Sequence, residues 1–300
     1  MSGKMKNKKS RGGKIAIPFL VTTLIALIAM GIPALYYYDK ITTRNEEIQG
    51  TNNNSEYVPS SADSGNILFI IDFDDDSLVN TYVIVRTVPL TRKFILVPLL
   101  NSTVVSYNDK SSTIDEFYKS GGVETVQSAI QNTFDVDVSK YIKLNDASFQ
   151  KLCDIFGGAS YNVPSGLKGF NAGEQWLSSE QIEKLITHYA FADEEQRVYY
   201  AGGVFTAMIN QTSGERIAGN LDTNFNSVMN LVPDTNITSM DFTNARRTVM
   251  YIFENVLEDK SPAQFKNPSG VWEDGLYQMS GDDIAEVKQW LSQSSDDEEE

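Results

Sequence analysis

The stretch that decides the fold is Tyr141–Pro164, YIKLNDASFQKLCDIFGGASYNVP, which reads as strand, helix, double-glycine stop and second strand. Asn145 or Asp146 can cap the helix, and Gly157-Gly158 supplies the positive φ that ends it. Within the helix, apolar side chains recur at i, i+3, i+4 and i+7, which is the spacing of one buried face: Phe149, Leu152, Cys153 and Phe156. The pattern predicts a buried α/β unit.

Further strands and helices alternate on both sides of this unit. Ile67–Ile71 is an all-apolar run typical of a buried central strand, and Thr81–Val88 with Lys93–Pro98 is a predicted hairpin. Helical spacing predicts helices after Gly122, after Ser178, and over 193–210, 244–257 and 282–292. The alternation indicates an α/β fold with a mixed central sheet and helices on both faces.

The amino-terminal region differs from the rest of the chain. Residues 1–14 are basic, and 15–38 contain no charged side chain and, as a helix, extend about 36 Å, enough to span a membrane. A cleaved signal peptide is the alternative, but the apolar run is longer than a usual signal core, so a retained transmembrane helix is favoured. Because basic flanks stay in the cytoplasm, we predict a single-pass cell-membrane protein with its amino terminus inside. An extracytoplasmic linker (39–65), an α/β domain (66–293) and an acidic tail (294–300) follow.

Composition excludes several classes of function. The net charge is −15, and because six of the 25 basic side chains lie in residues 1–14, the remainder carries −21. Such a surface repels nucleic acid, so we predict no nucleic-acid partner. One cysteine rules out an internal disulfide framework, and one histidine without neighbouring cysteines argues against a transition-metal site.

Acidic side chains follow the first strand. Asp72, Asp74, Asp75 and Asp76 stand at its carboxyl end, where carboxylates are well placed to hold Mg²⁺ against a phosphate. A polar exit from strand to loop explains the same residues without any ion. Both interpretations stay open at this point.

One arginine stands out in an acidic neighbourhood. Arg197 can bind a phosphate through its forked guanidinium, or can form an ordinary helix-surface pair with Asp193. His188 lacks an orienting group nearby in sequence, so a surface histidine is the simpler interpretation. The chain contains no G-x-S-x-G elbow, P-loop or G-x-G-x-x-G, so serine hydrolysis and nucleotide chemistry lack support.

Taken in order, these signals resemble the LytR-CpsA-Psr family of cell-envelope proteins. The quoted stretch is similar to its most recognisable segment, a strand and phenylalanine-bearing helix ending in Gly-Gly, then a strand ending in proline. Asn66–Asp72 resembles its first strand, Thr81–Pro98 its hairpin and Gly275–Leu291 its closing strand and helix. The resemblance covers most of residues 66–291, and the order of the motifs is more specific than any one of them.

The resemblance implies a function and a site. Family members transfer glycopolymers from a polyprenyl diphosphate carrier to peptidoglycan in Gram-positive bacteria, using arginines and aspartate-held Mg²⁺ around the diphosphate. On that basis Asp72 and Arg197 are the candidate catalytic residues, with Asp72 and Asp74 as candidate Mg²⁺ ligands. The candidate substrate-binding residues are Arg86, Arg92, Thr187 and Tyr189.

This sequence departs from the family pattern at the positions whose charged side chains bind the diphosphate. The family's Arg-Ser-Asp-Thr corresponds to Leu78–Thr81, and its Ile-Pro-Arg-Asp to Val97–Leu100. Its Arg-x-Arg falls on Thr187 and Tyr189, and of Arg-x-x-Arg-Gln only Arg197 is kept. Losing one such donor costs about 3 kcal/mol of transition-state stabilisation.

Two functions from different classes follow. One is a Mg²⁺-dependent glycopolymer phosphotransferase with rearranged phosphate ligands, Arg86 and Arg92 replacing the lost cations. The other is a non-catalytic accessory protein that binds polyprenyl-linked glycopolymer or peptidoglycan, or that partners active relatives. The missing cations favour the second, a pseudoenzyme of cell-wall biogenesis.

Overall fold

The computed structural model describes residues 57–75, 78–187, 191, 193–211, 226–256 and 261–294. The predicted membrane span at 15–38 and most of the predicted linker lie outside these ranges. Within them, no helix is both long and apolar enough to cross a membrane.

The described strands form one central sheet and three two-stranded ribbons. The central sheet has the order β10-β3-β2-β1-β6-β9, and the ribbons are β4-β5, β7-β8 and β11-β12. Strand β1 pairs antiparallel with β2 and parallel with β6, so the sheet is mixed as predicted. The strand bounds are β1 Gly65–Ile71, β2 Thr81–Val88, β3 Lys93–Leu99, β4 Val104–Tyr107, β5 Lys110–Thr113, β6 Lys140–Leu144, β7 Ala159–Val163, β8 Gly173–Leu177, β9 Asp234–Thr235, β10 Ala263–Phe265, β11 Val271–Glu273 and β12 Leu276–Gln278.

Helices cover both faces of the central sheet. Their bounds are α1 Ile114–Phe134, α2 Asp146–Phe156, α3 Ser179–Ile186, α4 Glu194–Asn210, α5 Ser239–Glu254 and α6 Gly281–Ser292. Leu68, Ile70 and Ile84 pack with α1 and α6 on one face. Ile71 and Val83 pack with the other four helices on the opposite face. Alternate strand residues therefore serve two cores, since neighbouring side chains of a strand point to opposite faces.

The opening stretch folds as predicted. Asn145 is the N-cap of α2, with its Oδ1 accepting a hydrogen bond of 3.1 Å from the Ser148 amide. Gly157 and Gly158 both have φ of 80°, which ends the helix and turns the chain into β7. Cys153 is buried on the apolar face of α2, and burial raises the pKa of its thiol, as expected of a structural cysteine.

Two helices begin earlier than predicted. Helix α1 starts at Ile114 and continues through Gly122, whose φ of 68° kinks it. Thr113 caps this start by accepting from the Glu116 amide, so the glycine pair marks a kink and not an N-terminus. Helix α5 starts at Ser239 because Thr238 and Asp241 form a reciprocal capping box.

Candidate functional site

Several of the predicted site residues meet at one end of the central sheet. Strand pairing sets Ile71 opposite both Thr81 and Leu144, and Tyr82 opposite Leu99. We call this the Asp72 end, because Asp72 follows β1 there and its amide donates to the Leu144 carbonyl at 2.8 Å. The carboxyl ends of β1, β3 and β6 therefore meet there, as predicted for a binding site.

Asp72 forms an ion pair with one neighbour and a hydrogen bond with another. Its Oδ2 lies 2.6 Å from the Lys143 ammonium and accepts a 2.6 Å hydrogen bond from the Tyr118 hydroxyl. Burial, followed by the hydrogen bond to Asp72, raises the pKa of Tyr118 to about 12. Burial opposes the charge on Lys143, but hydrogen bonds to Asp72 and Tyr118 outweigh it and raise the pKa of the ammonium. The three groups form a closed ionic cluster on the α1 face of the sheet.

This donor set does not fit a magnesium ion. Mg²⁺ needs about six oxygen ligands in octahedral geometry, and here a positive ammonium already contacts the one carboxylate of the cluster. The Asp74 side chain is exposed. The backbone amide of Asp74, and not its carboxylate, contacts the Asp146 carboxylate at 2.9 Å. Across the described ranges, no group of three or more acidic, histidine or cysteine side chains is arranged to hold a metal ion.

Arg197 reaches the same end of the sheet from the opposite layer. Its guanidinium donates to Asn101 Oδ1 at 2.9 Å, Thr81 Oγ1 at 3.3 Å and the Ile186 carbonyl at 3.4 Å. Arg197 is only 6% exposed, and burial lowers its pKa while Glu194 opposes that effect. Asp72 therefore bonds on the α1 face of the sheet and Arg197 on the α4 face.

The loop after β3 is tied to α4. Glu194 Oε1 accepts from the amides of Asn101 and Ser102, and its Oε2 accepts from the Ser102 hydroxyl at 2.7 Å. Asn101 is thus held by both Glu194 and Arg197. The guanidinium of Arg197 is therefore hydrogen-bonded to neutral acceptors within the protein.

Arg86 lies at the other end of the sheet. Its partner in the strand register is Asn66. Arg86 lies five positions along β2 from Thr81, which places the two Cα atoms about 17 Å apart. The guanidinium donates to the Gln293 carbonyl at 2.7 Å and to Asn66 Oδ1 at 3.1 Å, and burial lowers its pKa. Arg86 therefore binds the carboxyl-terminal end of α6, where the helix dipole favours a cation.

The remaining candidates are dispersed. Arg92 sits in the turn between β2 and β3 with φ of 59°, at the same end as Arg86. Thr187 ends α3, and its hydroxyl donates to the Glu183 carbonyl at 2.8 Å. His188, Tyr189 and Asp76 lie outside the described residues. Of the predicted basic ligands in the described residues, only Arg197 lies at the Asp72 end.

A groove of about 720 Å³ opens at the Arg86 end between the sheet and α5. Its volume suits a small ligand. Two of its basic side chains are engaged: Arg86 with the end of α6, and Lys140 with Asp241 at 2.7 Å. A third basic side chain, Arg246, also lines the groove.

The Lys140–Asp241 pair predicts an acid-sensitive contact. Hydrogen bonds to Lys140 and to the Thr238 amide and hydroxyl lower the pKa of Asp241 to about 2. A carboxylate whose pKa is lowered by folding stabilises the protein at pH values above its unfolded pKa. This contribution is lost as the pH falls through its folded pKa. We therefore expect Asp241→Asn to lower the free energy of unfolding by about 1 kcal/mol at pH 7 and to flatten its decline between about pH 4 and pH 2.

Urea titrations at several pH values measure this effect. Asp282→Asn in the first turn of α6 is the matched control, with an expected change below about 0.5 kcal/mol. Equal losses in the two variants would contradict the assigned role of Asp241.

The model of the LytR_cpsA_psr family matches residues 35–292 of this chain. The chain belongs to this family. The match includes every element of the central sheet and both helical layers. It confirms the resemblance drawn from the order of the sequence motifs.

Two relatives carry the name polyisoprenyl-teichoic acid–peptidoglycan teichoic acid transferase TagU. The one from Bacillus licheniformis is 26% identical over 190 residues, 58% of this chain and 61% of its own length. The one from Enterococcus faecalis is 22% identical over 268 residues, 80% of this chain and 84% of its own length. This chain therefore spans less than two thirds of the first relative.

A solved structure shows the same fold. A protein from Eubacterium siraeum DSM 15702, described as a transcription regulator, superposes with a TM-score of 0.70 at 21% identity, covering 80% of this chain and 96% of that one. The mixed sheet between two helical layers is thus the fold of this LytR_cpsA_psr chain.

Sequence reasoning missed Lys143 and Tyr118 as partners of Asp72. A signal for Lys143 was present, because it precedes the α2 cap on a strand that can lie beside β1. Tyr118 gave no helical signal in the sequence, since it lies in the part of α1 that precedes the glycine pair. Glu194 and Asn101 gave no signal, because their contact joins residues far apart in the chain.

Proposed function

We propose that this chain is a non-catalytic member of the LytR_cpsA_psr family that binds glycopolymer intermediates of cell-wall assembly. Residues 15–38 anchor it in the cell membrane with its amino terminus in the cytoplasm, and the folded part lies outside. The basic tail and the uncharged run support this topology. The names of the TagU relatives support polyisoprenyl-linked teichoic acid and peptidoglycan as the ligand classes.

The observation that carries the non-catalytic assignment is that the charged side chains at the Asp72 end already have hydrogen-bond partners within the protein. Arg197 donates to three acceptors of the protein, and Asp72 pairs with Lys143 and accepts a hydrogen bond from Tyr118. A diphosphate leaving group needs several fixed cations aimed at its oxygens. A phosphate at this site first has to break buried hydrogen bonds, each of which costs about 1–3 kcal/mol.

The two arginines considered as replacement cations do not add positive charge at the Asp72 end. Arg86 and Arg92 lie at the other end of the sheet, about 17 Å from Thr81 in the case of Arg86. At that distance neither guanidinium contacts a phosphate bound near Asp72. The family fold is thus kept, while Arg197 is the one predicted basic ligand of a diphosphate that lies in the described part of the site.

A transfer assay tests the proposal. The purified chain is incubated with a polyprenyl diphosphate-linked glycopolymer, Mg²⁺ and a peptidoglycan acceptor, with the Bacillus licheniformis TagU protein as the matched control. We expect product with TagU and none above background with this chain. Turnover that disappears in a folded Arg197→Ala variant would instead establish a transferase with rearranged ligands.

A further inference from the structure

An exposed group of aromatic rings flanks the amino-terminal half of α4. Tyr199 and Trp272 are 49% and 40% exposed, which is unusual for such large rings. Tyr199 contacts Phe265 with ring centroids 5.2 Å apart, and Trp272 donates from Nε1 to Glu195 Oε2 at 3.0 Å. Glu195 and Tyr199 are four residues apart and so share one side of the helix. We call Glu195, Tyr199, Phe265 and Trp272 the aromatic face.

A small cleft lined by apolar and polar side chains adjoins this face. It has a volume of about 30 Å³, room for about one water molecule or a sugar hydroxyl group, and Glu195 and Asn267 are among its lining residues. The carboxylate accepts hydrogen bonds, and the amide both donates and accepts them. The aromatic face therefore combines flat apolar surfaces with hydrogen-bonding groups at their edges.

The rings are held in place by packing beneath them. Trp272 contacts Tyr277 with ring centroids 5.3 Å apart, and Tyr277 is buried with its amide donating to the Ser102 carbonyl at 2.9 Å. Phe265 packs against Gly202, where an added Cβ would come within 2.8 Å of the ring. Rings fixed before binding lose little entropy when a ligand arrives.

We infer that the aromatic face binds an uncharged sugar chain. This inference rests on the proposed function and narrows it: the face takes the uncharged sugar units of a glycopolymer and not its phosphates. A pyranose presents apolar C–H groups to a ring and hydroxyl groups to its edge, which matches the pattern of this face. Acidic side chains stand next to Glu195 and Trp272 in the chain, namely Asp193, Glu194, Glu273 and Asp274. Their negative charge repels a polymer with many phosphates. The carboxylate of Glu195 between the rings disfavours a lipid chain, because an apolar chain that covers this charged group removes it from water.

A titration with a neutral oligosaccharide tests this inference. The full chain is titrated with chitotetraose by calorimetry while tryptophan fluorescence is recorded. We expect saturable binding, and we expect Trp272→Leu and Tyr199→Leu each to weaken it about tenfold. Trp176→Leu is the matched control, since Trp176 is 58% exposed but lies on β8, and it should change the affinity less than twofold.

Each other outcome overturns the inference. The inference is wrong if binding is not saturable, or if Trp272→Leu and Trp176→Leu lose equal affinity. It is also wrong if poly(glycerol phosphate) or phospholipid vesicles bind more tightly than the sugar. Thermal unfolding of every variant separates loss of binding from loss of the fold. The transfer assay is independent: turnover overturns the proposed function, whereas a missing sugar complex without turnover overturns only the aromatic face.

Discussion

Replacing Arg197 by methionine is expected to lower the free energy of unfolding by about 3 kcal/mol. Methionine preserves much of the side-chain volume but leaves Asn101 Oδ1, Thr81 Oγ1 and the Ile186 carbonyl without their buried donor. Arg197→Lys should recover only part of the loss, because one ammonium cannot reproduce the fork of the guanidinium. Chemical denaturation of the full chain measures both variants.

The matched control for Arg197 is Arg247→Met on the exposed side of α5, with an expected change below about 0.5 kcal/mol. This comparison separates a structural arginine from one kept free for a ligand. A loss for Arg197→Met no larger than for Arg247→Met would show that the guanidinium is available for binding. That result would favour the transferase alternative.

The second large effect is expected for Gly158→Ala, with a loss of about 3–4 kcal/mol in the free energy of unfolding. Gly158 has φ of 80°, and an added Cβ would stand 2.3 Å from the Leu177 carbonyl oxygen. Because that oxygen belongs to the backbone of β8, relief requires the β7-β8 ribbon to move. The strain of the left-handed conformation adds to this clash.

Gly166→Ala is the matched control for Gly158, since Gly166 has φ of 92° but nothing within 4 Å of the added Cβ. It carries the conformational strain alone, so its expected loss is about 1 kcal/mol. The difference between the two variants measures the clash with Leu177. Equal losses would mean that β8 gives way freely and does not hold the end of α2.

The sequence predicted the elements whose signals are local. The face of α2, the Gly157-Gly158 stop and the β2–β3 hairpin follow from spacings of a few residues, and all are present. The first half of α1 was missed, because the glycine pair at 121–122 marks a kink inside that helix and the actual cap is at Thr113. The weak central-sheet strands β9 and β10 were missed as well, since two or three residues carry no periodicity.

The candidate site was less predictable than the fold. Asp72 and Arg197 were identified by type and position, but their partners come from distant segments: Lys143 and Tyr118 for Asp72, Thr81 and Asn101 for Arg197. Arg86 could not be placed from spacing, because its role depends on the end of α6, which lies more than 200 residues away in the chain. Charge pairing across such separations has no local signal.

The sequence by itself determined the α/β class, the apolar faces of the strands and helices that it predicted, and the resemblance to the family, because each depends on periodicity, turn residues and motif order along the chain. Only the tertiary structure decided which charges meet. It paired Lys143 with Asp72, buried Arg197 among neutral acceptors and assigned Arg86 to the opposite end of the sheet. The physical reason is that a charge acts through its neighbours in space, and the fold chooses those neighbours.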